Sequence, residues 1–402
     1  MDTDQSKEGE DVVIIGAGAS GLWSAIELAP DHDVVVLEAG RVGAGASGYA
    51  AGFVGPFADW APYPAAVEHS IEVFRSLDGS HGFTFHDRPY VELAETDAER
   101  ESFVEDYQPL FDREGYELEY WSTSELAGRW PGRFDLDGFD GGLVKVESGI
   151  IDVREYATAL AETARERGVE IRTQTPVERI VTDGDTVVGV ETPDDRLEAE
   201  TVVCAAGAQT APLVEPFVDV PTRQFIYCNL RVEADREPND EYPMMYGRDV
   251  WWRPEPDRPQ TFLVSGGMYF LPERDRPPRS PPAEYLREVE GVLESVANDI
   301  DEVRIVNGSY HTCSKGSAIT PDGRPVLDAP ENAPDGLVIV TGVTAGISMS
   351  PFTGTAVRSL VTGEEPMVSL DPFELDRFVE PPADFRVHEI EEMPSTFPAG
   401  EY

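Results

Sequence analysis

Gly16, Gly18 and Gly21 stand in the spacing G-x-G-x-x-G, directly after the apolar run Val12 to Ile15. Glu38 closes a second apolar run, Val34 to Leu37. Each glycine has a separate task. Gly16 permits a tight turn out of a strand, Gly18 lets backbone approach a pyrophosphate, and Gly21 lets a helix pack against the sheet. The helix N-terminus then offers free N–H groups and a positive dipole end to phosphate oxygens. A carboxylate roughly 20 residues beyond the glycines accepts from ribose hydroxyls and repels a 2′-phosphate. Glu38 therefore favours FAD or NAD over NADP as the dinucleotide.

Other kinds of chemistry leave no comparable mark. Serines, cysteines and histidines do not assemble into a nucleophile, base and orienting group. Cys204, Cys228 and Cys313 are too few and too scattered for a disulfide framework, and no pair has the spacing of a metal site. No metal is expected.

The glycines and Glu38 need a scaffold, and the surrounding pattern supplies one. A strand, a helix and a second strand over about 11–38 make a dinucleotide-binding βαβ unit. Arg41 to Gly55 is dominated by glycine and alanine and holds no acid, which fits backbone pressed against a flat ligand. Helical patterns occupy 65–77 and 97–114. Ser122-Thr-Ser-Glu125 has the form of a capping box. Residues 143–151 read as extended, and Asp152 is placed to cap a helix over 153–167 that stops at Gly168. Short strands follow at 169–173, 177–181 and 187–192, the last two turning about Asp183-Gly184-Asp185. Thr201 to Ala208 is a buried strand running into a glycine turn. Alternation in 223–232 and 261–269, with one helix near 283–297, predicts an antiparallel sheet in a second lobe. The chain returns through Thr320 to Leu327, a strand over 336–341, and a glycine-rich turn into a helix over 354–360.

The chain has 402 residues, 77 acidic and 31 basic, for a formal net charge of -46. Lys7, Lys145 and Lys315 are its only lysines. Such a charge destabilises a compact state by self-repulsion at low ionic strength. At about 1 M salt the Debye length falls to ~3 Å and the repulsion largely disappears. The acids are spread along the chain, which points to a salt-rich cytoplasm such as that of a halophilic archaeon. Nucleic acid is excluded as a partner by the sign of the charge. Residues 1–11 are polar and acidic, with no signal-peptide pattern, and no apolar run approaches the ~18 residues of a membrane span. A soluble, cytoplasmic protein with no membrane partner is expected.

Taken in order, these segments resemble the D-amino-acid oxidase, glycine oxidase and sarcosine oxidase family of flavoproteins. Gly16 to Gly21 with Glu38 resembles the family's ADP-binding unit, and Gly43 to Gly55 the segment beside the flavin ring. Glu147-Ser-Gly-Ile-Ile-Asp-Val153 resembles its middle landmark, and Thr201 to Ala208 the return to the cofactor. Thr320-Pro-Asp-Gly-Arg-Pro325 and Thr341 to Gly346, with Pro351 and Gly354, resemble the C-terminal flavin-binding pair. Leu370 to Phe378 resembles the family ending. The likeness spans about 11–378.

The resemblance implies an α/β fold: a Rossmann-like FAD-binding domain and a second, antiparallel-sheet α+β substrate domain. The first would comprise 11–80, 145–220 and 311–380, the second 81–144 and 221–310, with 381–402 as an acidic tail. It implies FAD held non-covalently, with Cys313 a structural cysteine rather than a tether. Contacts to FAD are implied for Gly16, Gly18, Ala19, Ser20, Gly21, Glu38, Ala39 and Arg41. Ala46, Ser47 and Gly52 would add contacts from the loop, with Val177, Ala206 and Gly207. Gly342, Gly346, Ile347 and Ser348 complete the implied set. The implied reaction oxidises a C–N bond of an amino acid or a primary or secondary amine by hydride transfer to flavin N5. O2 or an electron-acceptor protein would take the electrons, and a homo- or hetero-oligomer is compatible with the family.

The substrate end departs from the family pattern. Ser317 stands where an arginine often clamps a carboxylate, and Thr344 where a histidine is common. Lys315 is the substitute anion anchor. Tyr246, Trp252 and Arg253 lie on the segment that faces the flavin in relatives, Arg253 placed to meet a carboxylate; alternation allows only one of Trp251 and Trp252 to do so. His311 is the candidate histidine. Two other readings remain open: an FAD-holding subunit of a hetero-oligomeric dehydrogenase, and a nicotinamide-driven flavin reductase.

Overall fold

Val12 to Ile15 are each at most 4% exposed, because the strand they form is covered on both faces. This strand, β1 (Glu10–Ile15), leads through the glycine turn into α1 (Ala19–Leu28) and then β2 (Val34–Leu37). The structure is a computed structural model. It describes residues 10–57, 60–109, 118–235, 241–271, 281, 283–306, 311–312, 317–379, 384–387 and 391–392. β1 pairs in parallel with β2 on one side and with Arg196–Cys204 on the other. Glu170–Arg172 extends the sheet beyond β2, and Leu337–Thr341 pairs in parallel with Arg196–Cys204. Val-rich runs form these strands because parallel sheets are buried on both faces. Arg179–Asp183 and Thr186–Glu191 add the expected antiparallel turn at one edge.

α1, Val153–Glu166 and Ser350–Thr362 cover one face of this sheet. Asp152 caps the second of these, its Oδ1 accepting from the N–H groups of Arg154 and Glu155. The third begins at Ser350, before the expected start at Gly354. Gly354 is a packing residue rather than a turn residue: a Cβ there would lie 2.9 Å from the Trp23 backbone. The three helices are also joined by a buried polar chain. Trp23 Nε1 donates to the Tyr156 hydroxyl at 2.6 Å, and that hydroxyl shares a 2.8 Å hydrogen bond with Ser350 Oγ.

The second sheet is built around Arg223–Glu233, Thr261–Phe270, Val250–Pro254, Met244–Gly247, Tyr90–Ala94, Gly141–Lys145 and Leu118–Ser122 in that order. It is antiparallel as expected except at two seams, where Met244–Gly247 runs parallel to Tyr90–Ala94 and Glu391–Glu392 runs parallel to Thr261–Phe270. His311–Thr312 and Ser317–Ile319 also pair with Arg223–Glu233. Ala283–Val296 covers one face through Tyr285, Val289 and Leu293. The capping box at Ser122 is formed in both directions with Glu125. The helical stretch expected over 97–114 is α-helical at Asp97–Glu101 and a π-helix at Ser102–Tyr107, and 110–117 lie outside the described residues. A three-stranded sheet of Phe53–Val54, Gly149–Ile150 and His86–Asp87 joins the glycine-rich loop to the rest. Among the described residues no helix is long and apolar enough to cross a membrane.

Candidate active site

The glycine turn leaves no room for side chains. Gly16 has φ +107, and a Cβ there would lie 2.6 Å from the Ala205 carbonyl oxygen. A Cβ on Gly21 would lie 2.0 Å from the Gly16 carbonyl oxygen. Gly18 opens α1 without a side-chain cap. Glu38 leaves the end of β2 and reaches back to this turn. Its Oε2 accepts from Ala17 N–H at 2.9 Å and its Oε1 from Gly40 N–H at 2.6 Å. Each carboxylate oxygen has a second lone pair, so a ribose hydroxyl can still donate to it. Ser47 Oγ accepts from Ala19 N–H at 3.0 Å and so fixes the glycine-rich loop to the first turn of α1. A dinucleotide fits this arrangement: a cradle without Cβ atoms, a helix N-terminus and a carboxylate beyond it.

The other residues expected at the cofactor converge on the same edge of the first sheet. Ser20 lies in the first turn of α1, its carbonyl accepting from Ser24 Oγ, while Ala39 and the exposed Arg41 follow β2. Ala46 sits in the 3-10 turn Ala46–Tyr49, and Gly52 has φ +71. Val177 is half-buried just before Arg179–Asp183. Ala206 and Gly207 follow Arg196–Cys204, and the Gly207 carbonyl accepts from Thr341 Oγ1. Gly342 leaves Leu337–Thr341 with φ +68, and Ala345 in the same turn has φ +50. This turn carries Gly346 and the buried Ile347 and Ser348. Ser348 Oγ accepts from Gly55 N–H at 3.1 Å and donates to the Gly55 carbonyl at 3.2 Å. The loop and the turn are thereby bound to each other.

The second sheet turns its uncovered face to this loop. Residues opposite one another in register share a face. One such row reads Asn229, Ser265, Trp251, Tyr246, Glu92 and Leu143, and the backbone of His311–Thr312 pairs beyond Asn229. Phe53, from the loop, meets Trp251 edge-on at 4.5 Å and stacks on Tyr90 at 5.7 Å. Phe57 approaches Tyr90 at 6.4 Å. Lys145, 2% exposed, lies 4.8 Å from the centre of the Tyr90 ring and pairs with Glu92 at 2.5 Å. The result is an aromatic wall beside the glycine-rich loop, with an ion pair between buried Lys145 and part-buried Glu92 next to it.

Several expectations need correction. Trp252 does not reach this wall. It is fully buried on the opposite face, in the core under Ala283–Val296, and its Nε1 donates to the Tyr242 hydroxyl. Trp251 takes the site face. Arg253 is on the site face, and two of its three nitrogens are already engaged by carbonyls. Its Nε donates to the Ala51 carbonyl at 2.7 Å and its Nη1 to the Pro254 carbonyl at 3.1 Å. Burial lowers its pKa to about 10, against the raising effect of Glu255 and Asp152. Tyr246 is on the face, its hydroxyl donating to Asp249 Oδ1 at 3.1 Å. The strand containing His311 lies at the end of the row, while Cys313 and Lys315 lie outside the described residues. Burial pushes the Cys204 thiol up to about 12, which leaves it unreactive at neutral pH.

Sequence reasoning missed Phe53, Phe57, Tyr90, Glu92, Lys145, Asn229 and Ser265. The rarity of lysine was a signal for Lys145. The others carried none, because aromatic and small polar residues are common on ordinary strands.

Residues 11–360 match the family described as FAD dependent oxidoreductase. The glycine oxidase of Geobacillus kaustophilus is 28% identical over 392 residues, covering 92% of this chain and 97% of that protein. A D-amino acid dehydrogenase of Paramagnetospirillum magneticum is 28% identical over 242 residues, and the match spans 58% of this chain and 52% of that protein. The L-proline dehydrogenase structure from P. horikoshii superposes with a TM-score of 0.81 at 21% identity, covering 92% of this chain and 98% of that one, which is a likeness of fold. The family match covers both strands of the βαβ unit and the loop, row and turn gathered around it. The chain belongs to the FAD-dependent oxidoreductase family, and FAD is its cofactor.

Proposed function

We propose that the protein oxidises the C–N bond of an amino acid or a primary or secondary amine. The observation that carries this reading is the wall of Phe53, Tyr90 and Trp251 set against the cofactor loop, in a chain that matches a glycine oxidase over 97% of that relative's length. FAD, bound non-covalently, supplies the acceptor for the hydride that leaves the α-carbon.

The protein's own residues bind, orient and exclude water. The aromatic faces of Phe53, Tyr90 and Trp251 give a flat apolar boundary that suits the carbon skeleton of a small amine. Arg253 and Asn229 hold the carbonyls of Ala51 and Tyr49, which keeps the loop in register with the sheet. No strong base is required, because the amine need only be bound in its neutral form. The electrons pass to O2 or to an electron-acceptor protein, and the site of action is the cytoplasm.

The test is an anaerobic absorption spectrum in molar salt, before and after glycine, sarcosine, L-proline and D-alanine. Bleaching of the flavin band near ~450 nm is the expected result. An unchanged band with all four, and with other primary and secondary amines, removes the reading. Oxygen consumption with a reducing compound then separates O2 from a protein acceptor.

A further inference from the structure

The polar end of the register row is incomplete. Asn229 is 1% exposed and Ser265 0% exposed, and they stand opposite one another on neighbouring strands. Asn229 Nδ2 donates to the Tyr49 carbonyl at 2.8 Å. That bond fixes the orientation of the amide and leaves Oδ1 as an acceptor only. Neither Asn229 Oδ1 nor Ser265 Oγ has a hydrogen-bond partner among the described residues. Buried polar atoms in native proteins are nearly always satisfied by protein, water or ligand. Here two lie side by side, next to Trp251 in register and beside the loop that carries Tyr49.

We propose that Asn229 Oδ1 and Ser265 Oγ form the subsite that holds the substrate nitrogen, accepting its N–H groups. The proposal rests on the amine-oxidising reading above and deepens it. Asn229 Oδ1 requires a donor, and Ser265 Oγ can accept a second. Both acceptors are neutral, so they orient the nitrogen without the charge that would hold it as an ammonium. A carboxylate in the same place would favour the ammonium, which cannot release a hydride from its α-carbon. A primary amine matches both acceptors and a secondary amine one. A neutral tertiary amine matches neither, so the subsite selects against N,N-dialkyl substrates.

The experiment uses the holoenzyme and its Ser265→Ala and Ser265→Thr variants. Anaerobic titration with glycine, sarcosine and N,N-dimethylglycine follows flavin reduction. The wild type is expected to prefer the first two. Ser265→Ala should weaken glycine binding roughly 3- to 10-fold, the loss for one neutral hydrogen bond. Ser265→Thr, which keeps the hydroxyl, should restore most of it. Thermal stabilisation by methylamine is measured in parallel and needs no turnover. It should be larger in the wild type than in Ser265→Ala.

Absence of flavin reduction by any amine in the wild type sinks the amine-oxidising reading, and the methylamine shift then decides the subsite alone. Equal methylamine shifts in wild type and Ser265→Ala, including none in either, overturn the proposal, as does equal glycine affinity. That result assigns the pair to an ordered water only. A changed flavin spectrum in ligand-free Ser265→Ala would place the pair against the cofactor and overturn it too.

Discussion

Arg253 Nε donates to the Ala51 carbonyl at 2.7 Å, tying a central strand of the second sheet to the loop beside the cofactor turn. Arg253 is 5% exposed and forms no ion pair among the described residues. Its burial is tolerated because it hydrogen-bonds carbonyls with Glu255 and Asp152 nearby. Gly52, next in the chain, could not carry a side chain: a Cβ would lie 2.3 Å from the Ile151 carbonyl oxygen.

Arg253→Met should therefore act on the cofactor more than on the fold. The substitution removes a desolvated charge, which offsets part of the lost packing. It also frees the Ala51 carbonyl. A hydrogen bond from a charged donor contributes about 1.5–3 kcal/mol, so FAD affinity should fall roughly 10-fold or more. Reconstitution of the apoprotein, followed by flavin fluorescence, measures this. An unchanged FAD Kd would show that the tie does not position the loop.

Trp251 and Trp252 should separate function from stability. Trp252→Ala empties a core position and should cost about 3–5 kcal/mol, read as a lower Tm. Trp251→Ala should lower Tm by less than half as much and weaken amine binding roughly 3- to 10-fold, the range of an aromatic contact. Equal effects from the two substitutions on both readouts would contradict the facial assignment.

Gly354→Leu forces α1 and Ser350–Thr362 apart at Trp23. Overpacking typically costs about 1–3 kcal/mol, and backbone contact at this distance puts the substitution at the upper end. The expected readout is a lower Tm with weaker FAD retention, since both helices open toward the cofactor. A wild-type Tm would mean that the helices separate without cost.

His86 should leave a trace in the acid limb of stability. Burial, and after it the Arg88 guanidinium, hold its imidazole below the usual 6.5. The folded protein thus binds fewer protons here than the unfolded chain once the pH drops below 6.5. Its contribution is present above that value and is lost as pH falls through the folded pKa. His86→Gln should flatten the decline of Tm with pH in this window. The same slope in both proteins would exclude His86 as a contributor.

Salt should stabilise the protein strongly. With a net charge of -46, repulsion between surface carboxylates opposes the compact state. Raising KCl from about 0.1 M to about 1 M shortens the Debye length from ~10 Å to ~3 Å, and Tm should climb over that interval. A Tm independent of KCl would show that the acids are compensated within the fold.

The sequence by itself determined the features whose parts are close in the chain. The βαβ unit was legible because two Val-rich strands, three glycines and Glu38 sit within one local stretch, and each has a local steric or electrostatic reason. The Ser122 and Asp152 caps were legible for the same cause: a side chain meets the N–H two or three residues on. Only the tertiary structure decided the aromatic face of the second sheet. Its row draws Glu92, Asn229, Tyr246, Trp251 and Ser265 from separate strands, and register between strands is a long-range choice. Alternation alone separates Trp251 from Trp252, but it cannot say which one faces the glycine-rich loop. Ala283–Val296 decides that by covering one side of the sheet. Arg253 looked like a carboxylate clamp because a cation on a strand gives no sign of its partner. That partner is a carbonyl 202 positions earlier in the chain, brought within 2.7 Å only by packing one sheet against the loop of the other.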